Sequence, residues 1–152
     1  MYTNAEASAI RQKFWTSFGL YMSHVPSATG EKVNWINYKT GIKGISFKLN
    51  ADKDQTTIAV EIFLKDIMLQ HQYFNIFNNF AEEFIKMAGK NWVFKKVYLT
   101  ENKTEVSIII VQLQQINIFK ETDWPTMISF LKYHIIGLDA FWAAYKPAFE
   151  LI

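Results

Sequence analysis

The chain has 152 residues, half of them hydrophobic and 16% aromatic, and a net charge of +2 from 16 basic and 14 acidic groups. That is enough length and apolar content for one domain, residues 1–152, with a sizeable core, and too balanced a charge to select nucleic acid or lipid by electrostatics alone. Arg11 is the only Arg among the basic residues, which weakens bidentate reading of phosphate or guanine, and the absence of Cys excludes disulfides, thiolate metal sites and a Cys nucleophile.

The first predicted element is a helix from about Asn4 or Ala5 to about His24. Ile10, Phe14, Phe18 and Met22 recur at i+4, and Trp15 and Tyr21 widen the stripe. Pro26, Ser27 and Gly30 end it. Three strands are expected next. Lys32–Tyr38 alternates Val33 and Trp35 against Asn34, Ile36 and Tyr38, and Thr40–Gly44 supplies a glycine-bearing hairpin connection. Ile45, Phe47 and Leu49 share the inward face of the second strand, against Ser46, Lys48 and Asn50. The third, Thr56–Lys65, turns Ile58, Val60, Ile62 and Leu64 inward and Ala59, Glu61, Phe63 and Lys65 outward.

Asp66 is the expected N-cap of a second helix reaching about Ala88, with Tyr73, Phe74, Phe77, Phe80, Phe84 and Met87 as its apolar ridge and Gly89 beyond its end. Strands over Asn91–Leu99 and Glu105–Gln114 follow, joined by the turn Thr100–Lys103. Ile108–Val111 is apolar on both faces, which places that strand centrally. Glu121, Thr122 and Asp123 precede Pro125 at the start of a final helix carrying Ile128, Leu131, Ile135, Leu138, Trp142, Tyr145 and Phe149. The expected fold is α+β, in the order α-βββ-α-ββ-α, with a five-stranded, mostly antiparallel sheet covered by helices.

Arg11-Gln12-Lys13-Phe14-Trp15, the Gly41-Ile42-Lys43-Gly44 turn, Val60-Glu61 ahead of the Asp66-capped helix, Trp92 and Asp123-Trp124-Pro125 form an ordered set. On that order and spacing, from about Arg11 to Phe149, the chain resembles the bacterial and archaeal family called domain of unknown function 4268. The resemblance implies no established activity. Longer members that carry a similar domain behind nuclease-like segments imply a DNA-processing setting.

No set of side chains converges on a catalytic arrangement, and Glu61 is the one candidate. On a helix-covered face it would need a partner, which Lys48 or Arg11 could supply, forming a polar cluster of Arg11, Lys48 and Glu61. A restriction-nuclease site needs Glu-x-Lys. Here Lys65 follows at i+4, about 13 Å away along a strand at roughly 3.3 Å per residue. His24, His71 and His134 lie on separate elements without the spacing of helical metal ligands, so neither metal nor cofactor is expected.

Residues 32–53 hold five Lys against Asp52 alone. Lys39 and Lys43, beside Trp35, Tyr38 and Phe47 as stacking surfaces, are the candidate nucleic-acid contacts. Tyr73, Phe74 and Phe77, with Phe141, Trp142 and Tyr145, make stripes wider than one sheet face requires, and they are the candidate interface or groove. The leading expectation is a non-enzymatic binding or assembly module, a homodimer that engages a protein or peptide. The alternative is an accessory domain of a DNA-processing or defence system, and a metal-dependent nuclease ranks third. The polar N-terminal segment and the lack of a membrane-length apolar run make a cytoplasmic location, without membrane partners, the default.

Overall fold

A computed structural model describes residues 2–152. Helix α1 (Asn4–Met22) opens on a capping box: the Thr3 hydroxyl accepts from Glu6 N–H, and the Glu6 carboxylate accepts from Thr3 N–H. Strands β1 (Ile45–Ala51) and β2 (Gln55–Ile62) form a hairpin. The Asp52 side chain closes its turn by accepting from Asp54 N–H and Gln55 N–H. Helices α2 (Ile67–Asn79) and α3 (Ala81–Ala88) lead into β3 (Val93–Leu99) and β4 (Glu105–Gln114). A short 3₁₀ turn over Glu121–Asp123 then runs into α4 (Trp124–Glu150).

The sheet has four strands in the order β1-β2-β4-β3, every neighbour antiparallel. β4, apolar on both faces, lies inside the sheet as its sequence requires. All four helices pack on one side of it. There Ile58, Val60, Ile62, Ile109 and Val111 join Phe14, Phe18, Phe47, Phe77, Phe84, Leu138, Phe141 and Trp142 in one core. α3 crosses α4 where Gly137 lets the backbones touch: a Cβ there would lie 2.8 Å from Ala88 Cα and collide with the Met87 carbonyl.

Two expectations need correction. Lys32–Tyr38 is not a strand, so the sheet has four strands rather than five. Its alternation is real, but the Asn34 carboxamide accepts from Ile36 N–H and Asn37 N–H and bends the chain into a turn. Trp35 then points its indole N–H at the Val25 carbonyl instead of pairing in a ladder. The Asp66–Ala88 helix is two helices, broken at Phe80 (φ −100°, ψ 25°) directly after the poor helix formers Asn78 and Asn79. Asp66 caps the first of them, accepting from Met68 N–H and Leu69 N–H.

The segment 23–44 has no regular structure and is held by a buried carboxylate on α4. Asp139, 1% exposed, accepts from Ser27 Oγ (2.8 Å), Tyr38 OH (2.6 Å) and Ala28 N–H (2.7 Å). Burial pushes the Tyr38 hydroxyl above its ordinary pKa, and the Asp139 carboxylate adds to the effect. One turn along α4, Trp142 Nε1–H donates to the Thr40 carbonyl at 2.9 Å. The Thr40 hydroxyl in turn donates to the Ile45 carbonyl at the start of β1.

His134, on the flank of α4, donates from Nδ1 to the Phe130 carbonyl and packs against Phe130, Trp92 and Tyr133. Burial lowers its pKa, partly opposed by the hydrogen bond to Phe130. The unfolded imidazole takes up a proton near about pH 6.5 while the folded one resists it.

In urea unfolding, Asp139→Ala should cost about 3 kcal/mol, because the Ser27 and Tyr38 hydroxyls and the Ala28 N–H all lose their acceptor. Asp139→Asn, which keeps one oxygen, should cost less. Gly137→Ala should lose about 1–3 kcal/mol by overpacking α3 against α4. Stability measured across pH should be full above about pH 6.5 and decline as the pH falls below it, and His134→Gln should flatten that decline.

Candidate functional site

The second face of the sheet has no helix on it, and its register arranges it in cross-strand rows. Lys95 pairs with Ile108, Ile108 with Glu61, and Glu61 with Ser46. The next row runs Val93, Ile110, Ala59, Lys48, and a third runs Gln112, Thr57, Asn50. At the opposite end Tyr98 pairs with Val106, and Phe63 follows Glu61 two residues on. None of Ala59, Val106, Ile108 or Ile110 joins the helix-side core. Phe63, Val93 and Tyr98 are 50%, 48% and 39% exposed. An antiparallel sheet with one solvated face ordinarily alternates apolar inward and polar outward. Here the outward side of β4 is Val106, Ile108 and Ile110, of which Val106 (3% exposed) and Ile108 (8%) are already shielded by their neighbours on the face. The exposed apolar surface is therefore the surround of Phe63, Val93 and Tyr98, with Ile110 half-buried between them.

Glu61 lies on this face. Its Oε1 meets Lys48 Nζ at 2.9 Å, diagonally across the β1–β2 pair. Arg11 does not join them: its guanidinium lies 5.1 Å from the centre of the Phe119 ring, on α1 and the helix side. The polar cluster is therefore a pair, because strand alternation sends Glu61 away from every helix. Among the described residues no three His, Cys, Asp or Glu side chains come together in a way that could hold a metal ion. His71 Nε2–H donates to Glu105 Oε2 at 3.1 Å, His24 is exposed on a loop, and His134 faces the Phe130 carbonyl.

The ring stripes expected to line a groove are in the core instead. Tyr73, Phe74, Phe77, Phe141 and Trp142 are buried, and Tyr145 is half-buried, stacked on Phe141 at 4.8 Å and tilted against Phe80 at 4.7 Å. They fill the space where α2, α3 and α4 meet, and two crossing helices consume more ring surface than the sheet alone would. Lys39 and Lys43 are exposed on the loop before β1. Lys39 borders an open groove of about 580 Å³ with Trp15, Tyr38 and Lys48. Two of the expected stacking rings are not available beside them. Trp35 and Phe47 are buried, and Tyr38 is turned to Asp139.

The open face was missed in the sequence although its signal was present. The two-sided apolar run in β4 marks a central strand, and it also marks a second face that calls for a cover. Among the described residues no helix is long and apolar enough to cross a membrane.

No curated protein and no solved structure matches the chain. The family model described as "Domain of unknown function (DUF4268)" matches residues 10–146, and with nearly the whole fold inside that span the chain belongs to this family.

Proposed function

We propose that the protein is a non-enzymatic assembly module that docks another polypeptide on the open face of its sheet. The observation that carries this reading is the exposed apolar set Phe63, Val93 and Tyr98 around the half-buried Ile110, on the sheet face away from the helices and bordered by Lys48, Glu61 and Lys95. A face with apolar residues at the centre and charge at the rim has the anatomy of a protein interface. Among the described residues Asp139 is the one buried carboxylate, and its saturated state fits a structural rather than a chemical role. The nucleic-acid alternative draws on Lys39 and Lys43, and it is weakened by the burial of Trp35 and Phe47.

Homodimeric assembly in the cytoplasm is the form of this reading that needs no further component. Sedimentation velocity from about 1 to about 200 µM should show reversible association. Ile110→Lys, placed in the middle of this set, should abolish it with the circular dichroism spectrum unchanged. Identical sedimentation of both proteins at every concentration would remove the homodimeric form of the reading, and the docking reading itself falls if, in addition, Ile110→Lys leaves binding of the hydrophobic dye 8-anilinonaphthalene-1-sulfonate unchanged. Retention on DNA at low salt that falls on Lys39→Ala and Lys43→Ala substitution would favour the alternative.

A further inference from the structure

The charge and shape of the open face are complementary to a second copy of itself. In the row Lys95, Ile108, Glu61, the base and the acid stand on opposite sides of β4. A two-fold axis lying in the interface and running along β4 exchanges those two sides. Ile108 and Ile110 then meet their own counterparts on the axis, and Glu61 of each copy faces Lys95 of the other. In the neighbouring row the same operation sets the small Ala59 against the larger Val93. At the end of the face it sets Phe63 against Tyr98. Glu61 and Ala59 of β2, with Phe63 directly after it, thus find acid against base, small against large and ring against ring, while β1 extends beyond the overlap.

We infer that the occupant of the open face is a second copy of this chain, packed sheet on sheet about a two-fold axis along β4 and held in register by two reciprocal Glu61–Lys95 pairs. The inference rests on the open face being a docking surface. Aligned sheet packing at about 30° requires the axis to lie within about 15° of β4, at a sheet separation of about 10 Å. Glu61 gives one carboxylate oxygen to Lys48. Among the described residues Lys95 has no acidic partner within its own chain, and its ammonium lies 5.4 Å from the centre of the Tyr98 ring.

Edge-to-edge pairing through β3 is the competing two-fold arrangement, and the strand resists it. Lys95 and Lys96 occupy its middle, where antiparallel self-pairing would bring like charges together. The register also shifts between Lys95 and Tyr98, a bulge of the kind that turns an edge away from partners. With strands about 4.8 Å apart and rows about 7 Å apart, the β3, β4 and β2 portion that overlaps about the axis measures roughly 10 Å by 20 Å. That footprint, about 200 Å² on each copy, is far below the roughly 800 Å² per partner of a standard stable interface, so the dimer should be weak and dissociate in the upper micromolar range.

A charge-exchange experiment tests the arrangement on the full chain by analytical sedimentation. Glu61→Lys alone sets like charges opposite each other twice, and so does Lys95→Glu alone. Each should weaken self-association at least about tenfold. Mixing the two single variants should restore a heterodimer, and the double variant should restore a homodimer. Both positions are on the surface, and unchanged melting curves confirm folding. A dimer abolished by Ile110→Lys but indifferent to both reversals overturns the two-fold axis and leaves the docking face standing. Reversals that weaken association without rescue in the mixture overturn the reciprocal pairing. A chain that stays monomeric to about 200 µM overturns the second copy as the occupant.

Discussion

Phe77 sits where α2, α3 and α4 meet, and the rest of the molecule is arranged around that convergence. Its ring, fully buried, lies 4.7 Å from Phe149, 5.9 Å from Phe141, 6.1 Å from Trp142 and 6.2 Å from Phe84. Trp142 carries the chain of rings on to Phe47 of β1, and Phe84 carries it to Phe94 of β3. Each buried side chain of this size contributes on the order of 1.5–3 kcal/mol, with a further increment for edge-to-face geometry. The layer is stable only if all of these helices lie on the same side of the sheet, and that commitment leaves the other side bare.

The bare side is unusual for its composition rather than its existence. Lys48 is well exposed, so its ion pair with Glu61 adds little to folding. What the pair does is set the charge pattern of a face whose middle is apolar. Glu61 stands in the register between Ser46 and Ile108, beside Lys48, at the border of that apolar middle. The same packing explains why the surplus of rings does not mark a groove. Two helix–helix crossings and a helix–sheet layer need more ring surface than a helix and a sheet alone.

The strands were legible where alternation and pairing agreed. β4 has the span that its apolar run defines, and β1 presents Ile45, Phe47 and Leu49 on the side that period two assigns. Alternation misleads at Lys32–Tyr38, where a single Asn side chain competes for the backbone, a local hydrogen bond that no periodicity reports. The division of α2 from α3 was hidden because the apolar ridge continues in phase across Phe80. Asp139 gave no sign of itself in an apolar helix, since its partners Ser27, Ala28 and Tyr38 lie more than a hundred residues away. The open face lay in plain view as a row of apolar residues on the outward side of β4. Its meaning depended on knowing that no helix would be left to cover it.

Those long separations fix the order in which the chain can mature. Every side-chain anchor of segment 23–44 to α4 joins residues 101 to 112 positions apart. A ribosome delivers the segment long before it delivers Asp139 and Trp142. Loop closure over such a distance has to wait for α4. Until that helix docks, the entry to β1 is tethered only by its hairpin partner, and a nascent chain halted ahead of residue 139 carries those twenty-two residues open to proteases.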